Sequence, residues 1–579
     1  MTAQSQRHST IRSVVTAWEN HIPAPTIAIW ASRIFIALAC AVAATLALLS
    51  VFTTGTFYPV PNSTTLLVTG EAMQVHHGLP SLTFLLSAII MLFILLAVSN
   101  AWIRLLPSMN LPAFIAVYVL MGSLLWVIAL NATGNIYIYP DSTSLIKAAS
   151  AIVSRQYAEF APGVKGTPPA YDYFSWYPFQ TGALLWFVAI FAIFGIGNII
   201  AVQIINVVLI AGTGWALQRI GIRLGLSAFG QRIEALLLMT SLPLLMSPAF
   251  VYTNTAGLFF ATISLLAAIR AGEQHTYGKA LLWTLICFAV GAIAITVKGT
   301  MIILLIAFVM MLSVRAFANR LLWLIPIHIG LFLAANAFSG LPVILIERIV
   351  QQRFGTGLPQ LAWIAIGLSH NAKTSMPGWW SAEAIQTYKS VHGDAALQKA
   401  AALSAINDSL AYFWSHPLGA ARFFALKLIS EWSEPTYQTL YYSSLMERRA
   451  NGAIASHAFY GTTNGLLIGF ENVYQTLVYM FSAIGMGSAL HWRRRINTSG
   501  QRDQRIHDGH FAVMTMMCLI FLGGFGCFLF WEAKSIYVLS FALLLIPVAA
   551  YGMERIGRYM SVGNSTRYPR QNSGSRSNA

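Results

Sequence analysis

Charged side chains are scarce in this chain. Asp, Glu, Lys and Arg make up 9% of its 579 residues, whereas hydrophobic residues make up 57%. Soluble domains carry roughly 25% charged residues. A soluble domain is therefore excluded, and the composition indicates an all-α polytopic membrane protein. The net charge of +16 is concentrated in short loops and the C-terminal tail. That distribution orients membrane proteins and does not indicate nucleic-acid binding.

Cysteine and the common cofactor motifs are also sparse. The four cysteines, Cys40, Cys287, Cys518 and Cys527, fall in apolar runs and form no CxxC pair. They predict neither a disulfide framework nor a zinc site. The chain has no Walker A, HExxH or GxSxG motif and no DxD of the kind that holds a nucleotide-sugar metal. Nothing therefore indicates a nucleotide substrate; we expect no cofactor, and the use of a divalent metal stays open.

Long apolar runs are abundant. A bilayer core needs about 20 apolar residues per helix, which gives about twelve spans. The predicted spans are 29–53, 81–100, 111–131, 199–217, 232–250, 255–271, 279–296, 299–316, 321–339, 466–491, 512–531 and 536–553. Residues 181–197 are apolar enough for a thirteenth, but a full crossing would place Arg219 and Arg223 on the opposite side. We therefore prefer an interfacial or re-entrant helix there.

The positive-inside rule assigns the sides. Arginines near residues 104, 219–232, 270, 315–320 and 493–495 share one side with the basic tail. This side is predicted to be cytoplasmic in a plasma (inner) membrane, with both termini there. The predicted units are a leader (1–28), an N-terminal transmembrane module (29–339) with an outer loop (131–180), a small helical outer region (340–465), C-terminal transmembrane helices (466–553) and a basic tail (554–579).

The loop 131–180 contains the first candidate for chemistry. Asp141 follows Tyr139-Pro140 and precedes an apparently helical stretch from Ser142 to Ile152. Asp is a good helix N-cap. A carboxylate at the bilayer edge could equally act as a general base toward an acceptor hydroxyl. Both roles are compatible, since a capping carboxylate keeps a second oxygen.

Lysines on the outer side are the second signal. Lys147, with Arg155 and Lys165, follows Asp141, and lies on a different helical face from it. Lys298 sits in a very tight turn between two spans, and Lys534 sits in another, close to Glu532. Such lysines need partners: a lipid phosphate is one, and a carboxylate is the alternative. Snorkelling to the interface is the simpler explanation for Lys147.

An aromatic cluster closes the loop. Asp172, Trp176 and Tyr177 lie in Tyr171-Asp-Tyr-Phe-Ser-Trp-Tyr177-Pro178-Phe-Gln180. Aromatic residues at this position are either interface anchors or platforms for sugar rings. The sequence alone leaves both roles open.

Together these features resemble the GT-C superfamily of integral membrane glycosyltransferases, near the protein-O-mannosyltransferase and aminoarabinose-transferase branch. The resemblance is carried by Tyr139-Pro140-Asp141-Ser142, by Tyr173 to Gly182, by Tyr252-Thr-Asn254, by Lys298, and by Trp531-Glu532-Ala-Lys534-Ser-Ile-Tyr537. It covers roughly 130–330 and 510–555 and is topological more than literal. It implies a GT-C-like fold with interfacial helices in the first large outer loop.

The resemblance also implies an activity. A sugar would pass from a polyprenyl-phosphate donor to an acceptor on the outer face, with inversion. Asp141 would be the base, and Lys147, Lys298 and Lys534 would bind the donor phosphate. Further substrate-lining candidates are Asp172, Trp176, Tyr177, Tyr252, Asn254, Glu532 and Tyr537. Asn254 stands where a second Asp is often found, which weakens a two-carboxylate or metal site.

The acceptor is not specified: it could be a protein, a glycan or a lipid. Two other classes compete with the transferase. One is a transporter or lipid flippase, which should show inverted repeats, broken helices and ionisable residues at mid-membrane. We find no repeat of the two halves, and we place His328 inside a span as a core histidine. The other is a non-catalytic subunit of an envelope-assembly complex.

Overall fold

The structure is a computed structural model. It describes residues 24–59, 71–77, 110–131, 140–164, 169–274, 276–318, 321–372, 374–447, 456–459, 461–491 and 501–565. The predicted span 81–100, Lys165, most of the leader and most of the basic tail lie outside these residues. Within them the protein is built from helices, and it is a multi-pass membrane protein, as the composition predicts.

Eight helices in the described part of the chain are long and apolar enough to cross a membrane, or ten if each of two bent helix pairs counts as one span. In chain order the described α-helices are α1 Ala24–Phe52, α2 Leu111–Asn131, α3 Pro140–Val153, α4 Ala170–Trp176, α5 Thr181–Phe194, α6 Ile199–Leu224, α7 Ala228–Thr240, α8 Leu242–Met246, α9 Asn254–Glu273, α10 Tyr277–Val297, α11 Ile302–Ala318, α12 Leu324–Ser339 and α13 Leu341–Val350.

The second half continues with α14 Gln360–Leu368, α15 Glu383–Ser390, α16 Ala395–Ser415, α17 Pro417–Trp432, α18 Thr439–Glu447, α19 Ser456–Phe459, α20 Gly461–Leu490, α21 Gln501–Phe530, α22 Ser535–Leu543 and α23 Ile546–Ser565. α9 packs along α10 and α6, while α1 packs along α20 and α21. α20 also packs on α23, so the two ends of the chain share one helical bundle.

Four predicted spans differ from the structure, and one of them, 536–553, is divided between α22 and α23, which meet at an angle of 48°. The stretch 232–250 is not one helix, because α7 ends at Thr240 and α8 restarts at Leu242 with Pro243 in its first turn. Proline lacks the N–H that would continue the preceding helix. The span predicted to end at 339 extends to Val350 as an apolar segment. α20 is a continuous 30-residue helix, yet it is not among the eight apolar ones.

The segment 181–197 forms α5, which ends at Phe194. Together with the preceding 3-10 turn, it meets α4 at an angle of 108°. α5 has 14 residues, about 21 Å, which is shorter than a bilayer core of about 30 Å. These dimensions fit the preferred interfacial or re-entrant arrangement.

A two-stranded hairpin is the described sheet, and the sequence did not indicate it. β1 Thr53–Pro59 pairs antiparallel with β2 Glu71–His77. Phe57 of β1 stacks on Trp379 with ring centroids 5.4 Å apart, and Gly55 N–H donates to Ser433 O at 2.9 Å. The hairpin therefore ties the end of α1 to the 340–465 region.

Candidate functional site

Asp141 lies in the first turn of α3, which begins at Pro140. Proline suits the first helical position, because its missing N–H would have no partner there. The helix dipole favours a carboxylate in this turn. The prediction that Asp141 caps the helix is thus wrong by two positions, because the N-cap position precedes Pro140. Its side chain is partly buried, beside fully buried Ser142 and Leu145 on the same helix.

Lys298 occupies the turn between α10 and α11, as predicted. It has extended backbone angles (φ −148°, ψ 98°) and a partly buried side chain. Its stem packs against Gly257 of α9, where an added Cβ would lie 2.5 Å from the Lys298 Cβ. The Lys298 ammonium lies 4.8 Å from the Tyr252 ring centroid and 5.4 Å from that of Tyr537. Two tyrosine faces therefore hold this cation.

Glu532 and Lys534 occupy the turn between α21 and α22. They are 4% and 3% exposed, so both charges are removed from solvent. The Tyr537 hydroxyl donates to Glu532 Oε1 at 3.3 Å, and Ala533 N–H donates to Gly378 O at 2.8 Å. The turn is therefore fixed from both sides.

The tertiary fold brings these elements into one electrostatic group. Burial lowers the pKa of Lys298 to about 8; the carboxylates of Asp141 and Glu532 oppose this shift, and Lys534 adds to it. We name Asp141, Lys298, Glu532 and Lys534 the charge cluster. With two carboxylates and two ammonium groups, it is formally neutral when all four are ionised.

Two buried tyrosines border the charge cluster. Asp141, Glu532 and Lys534 act electrostatically on both Tyr177 and Tyr252. Gln180 Nε2 donates to the Tyr252 hydroxyl at 2.5 Å. Burial raises the pKa of Tyr252, and the charge of Asp141 raises it further. Tyr252 therefore stays a phenol at neutral pH.

Other predicted site residues lie elsewhere. Lys147 is exposed on a different face of α3 from Asp141, and Arg155 is exposed as well. Trp176 faces α15, where the Lys389 ammonium lies 5.0 Å from its ring centroid. Asp172 of α4 acts electrostatically on Tyr388, which also lies on α15.

Asn254 begins α9, one turn before Gly257. Its Oδ1 has no hydrogen-bond partner among the described residues. Asn254 therefore lies near Lys298 without a described contact to the charge cluster.

The sequence analysis missed a buried lysine that supports the Glu532 turn. Lys427 of α17 is fully buried and donates to Gly367 O at 2.6 Å and Trp531 O at 2.7 Å. Burial lowers the pKa of Lys427, while the charges of Glu431 and Glu532 oppose the shift. A lone lysine inside the apolar stretch from Phe423 to Ile429 was the signal that could have found it.

Glu434, also missed, fixes the start of α22. Its Oε2 accepts from Ser535 Oγ at 2.7 Å and from Gln438 N–H at 2.6 Å. Its Oε1 accepts from the backbone N–H of Thr436 at 3.0 Å. Because Ser535 follows Lys534 directly, the Glu434 carboxylate also positions Lys534. Nothing in the local sequence links residues 101 positions apart.

Within the described residues, no group of three or more His, Cys, Asp or Glu side chains could hold a metal ion. Comparison with protein-family models, with curated proteins and with solved structures finds no match for this chain. The charge cluster and its surroundings are therefore the features of this chain that indicate a function.

Proposed function

We propose that this protein is a GT-C-like glycosyltransferase that transfers a sugar from a polyprenyl-phosphate donor to an acceptor hydroxyl. One observation carries the proposal. Asp141, Lys298 and Lys534 come from three distant parts of the chain, and the charges of Asp141 and Lys534 both act on Lys298. A carboxylate and two cations in one partly buried place are the groups needed for base catalysis and phosphate binding.

The reaction is a single displacement. The acceptor oxygen attacks the anomeric carbon, and its proton passes to the Asp141 carboxylate. The bond between the anomeric carbon and the phosphate oxygen breaks, and its electron pair stays on the phosphate. Lys298 and Lys534 stabilise that developing charge. Because attack and departure occur on opposite faces, the configuration inverts. Lys147 has no part in this scheme, since it is exposed on another face of α3.

The donor phosphate would enter beside Lys298. This lysine is partly buried, whereas Lys534 and Glu532 are almost fully enclosed. In the neutral cluster the lysine charges are balanced by Asp141 and Glu532. A phosphate would take over part of that balance and release Asp141 for the acceptor hydroxyl.

We place the charge cluster on the outer face of a plasma (inner) membrane. Lys298 packs at Gly257 in the first turn of α9, while Arg270 and Glu273 lie in its last turn. Glu273 pairs with Arg223, so basic residues gather about 24 Å away along that helix. The positive-inside rule makes the arginine end cytoplasmic.

The test is Asp141→Asn in the purified full-length protein, assayed for sugar transfer from a polyprenyl-phosphate donor. A general base contributes about 10²- to 10⁴-fold, and we expect a loss of that size. Asp172→Asn is the matched control, because Asp172 is a partly buried carboxylate of the same loop outside the charge cluster. Full turnover in Asp141→Asn would remove the proposed base.

A transporter is the second candidate, and two carboxylates favour it. Glu234 of α7 and Glu471 of α20 are fully buried. Both Glu234 oxygens and Glu471 Oε2 have no hydrogen-bond partner in the described part of the chain. Buried acids of this kind occur in proton relays, and the sequence analysis overlooked them. The Asp141 assay separates the candidates. A transporter would produce no glycosylated acceptor in the wild type, in Asp141→Asn or in Asp172→Asn.

A further inference from the structure

A cavity of about 230 Å³ lies in the 340–465 region, apart from the charge cluster. Its walls are α14, α15 and α16. Cavities for drug-sized ligands measure roughly 300–1,000 Å³, so this one suits a smaller group such as one sugar ring. We propose that it binds a neutral, hydroxyl-bearing sugar residue of the acceptor.

Gln398 provides the first argument. It is 2% exposed, lines the cavity, and anchors its Nε2 by donating to Gly393 O at 3.0 Å. Its Oε1 has no donor among the described residues. A buried acceptor without a partner is unfavourable, so a ligand that donates a hydrogen bond to it is favoured here.

The rest of the lining selects the chemistry of that ligand. The buried polar groups are neutral: Ser409 is 3% exposed, and its Oγ lies 3.3 Å from His370 Nδ1. The charged residues described around the cavity are the carboxylates Glu383 and Asp408, both exposed. These carboxylates disfavour phosphate. The exposed carboxylates would attract an ammonium group, but the described buried lining offers it no charge, whereas sugar hydroxyls can use every one of these polar groups.

One wall of the cavity, α14, also contacts residues that border the charge cluster. Trp363, on another face of α14, packs on Tyr177 with ring centroids 5.8 Å apart. Gly367 of α14 accepts from Lys427, which also bonds the carbonyl of Trp531 beside Glu532. A sugar bound in the cavity would therefore be separated by α14 from Tyr177, which borders the charge cluster of Asp141. The assignment of this sugar to the acceptor rests on the proposed function. The binding of a sugar in the cavity does not depend on that function.

Binding is tested by saturation-transfer NMR on the full-length protein in detergent. The probes are the methyl glycosides of glucose, galactose, mannose, N-acetylglucosamine and arabinose, with ethanolamine and inorganic phosphate for comparison. We expect binding of at least one glycoside, weakened about five- to tenfold by Gln398→Leu and lost in Ala405→Trp, which fills the cavity. Ala400→Trp is the matched control, because Ala400 is an exposed alanine of the same helix outside the lining.

Three outcomes would overturn the sugar site: no glycoside binds, binding is equal in wild type, Gln398→Leu and Ala405→Trp, or ethanolamine or phosphate binds there instead. In the transfer assay, Ala405→Trp should raise the acceptor KM and leave the donor KM unchanged. Asp141→Asn should keep glycoside binding. Binding without any transfer would retain the cavity site and reject the proposed function. Transfer with an unchanged acceptor KM in Ala405→Trp would retain the proposed function and reject the assignment of the bound sugar to the acceptor.

Discussion

Donor binding should depend on pH through Lys298. Burial lowers the pKa of this lysine to about 8 from an ordinary 10.5. In the free protein its charged fraction is then about 90% at pH 7, about 10% at pH 9 and about 1% at pH 10. If the ammonium binds the donor phosphate, kcat/KM for the donor should fall about tenfold per pH unit above pH 8. Bound phosphate favours the charged form of Lys298 over the neutral amine. The kcat should therefore keep its value to a higher pH than kcat/KM does.

The contribution of Lys298 to folding stability changes with pH in the opposite direction: it rises with pH, whereas kcat/KM for the donor falls. Below pH 8 the ammonium is present in both the folded and the unfolded chain, and the folded state carries the cost of burying it. Between about 8 and 10.5 the folded chain binds fewer protons, so stability from this group rises with pH. Loss of activity in that window would therefore not come from unfolding driven by Lys298.

The assay is initial-rate transfer at low donor concentration from pH 6.5 to 10, with wild type and Lys298→Arg. Arginine stays charged throughout this range, so the variant should lose the fall above pH 8, whatever its absolute rate. Lys147→Arg is the matched control and should follow the wild-type profile, because Lys147 is exposed and outside the charge cluster. An identical fall in Lys298→Arg would refute a phosphate role for this ammonium.

Two further substitutions test how the surroundings hold the charge cluster. Gly257→Ala would place a Cβ 2.5 Å from the Lys298 Cβ; we expect the donor KM to rise about tenfold. Gly278→Ala, with no atoms near its added Cβ, should leave the donor KM unchanged, and equal values in both would contradict the packing argument. Lys427→Met leaves the carbonyls of Gly367 and Trp531 without their buried donor and should destabilise the protein by about 1–3 kcal/mol. Thermal unfolding measures this, with exposed Lys399→Met as control; an unchanged Tm would show that Lys427 is not needed for stability.

The sequence predicted local features correctly where one physical requirement determines them. The bilayer requires long apolar helices, and the described helices confirm the membrane class. A lysine between two apolar runs needs a turn and a partner, and Lys298 and Lys534 have both. The break at Ser241 was missed, although Pro243 was visible, because the apolar composition of 232–250 outweighed one proline in the prediction.

The charge cluster was only partly readable. Asp141, Lys298, Glu532 and Lys534 were each identified as candidates, but nothing local distinguished them from Lys147. The helical spacing of six residues separates Lys147 from Asp141, yet only the packing of α3 determines which of the two faces inward. Lys427 and Glu434 escaped detection because their roles depend on backbone carbonyls and hydroxyls about 60 to 104 residues away.

The sequence by itself determined that this chain enters a membrane, where most of its described membrane helices lie, and which turns hold charges that need partners. These are properties of segments, set by hydrophobic length and by the cost of an isolated charge. Only the tertiary structure decided that Asp141 and Glu532 act on the same lysine, that Lys147 does not share their site, and that Gln398 lines a separate cavity. Those facts depend on contacts between segments up to several hundred residues apart, because burial and pairing are properties of the packed chain.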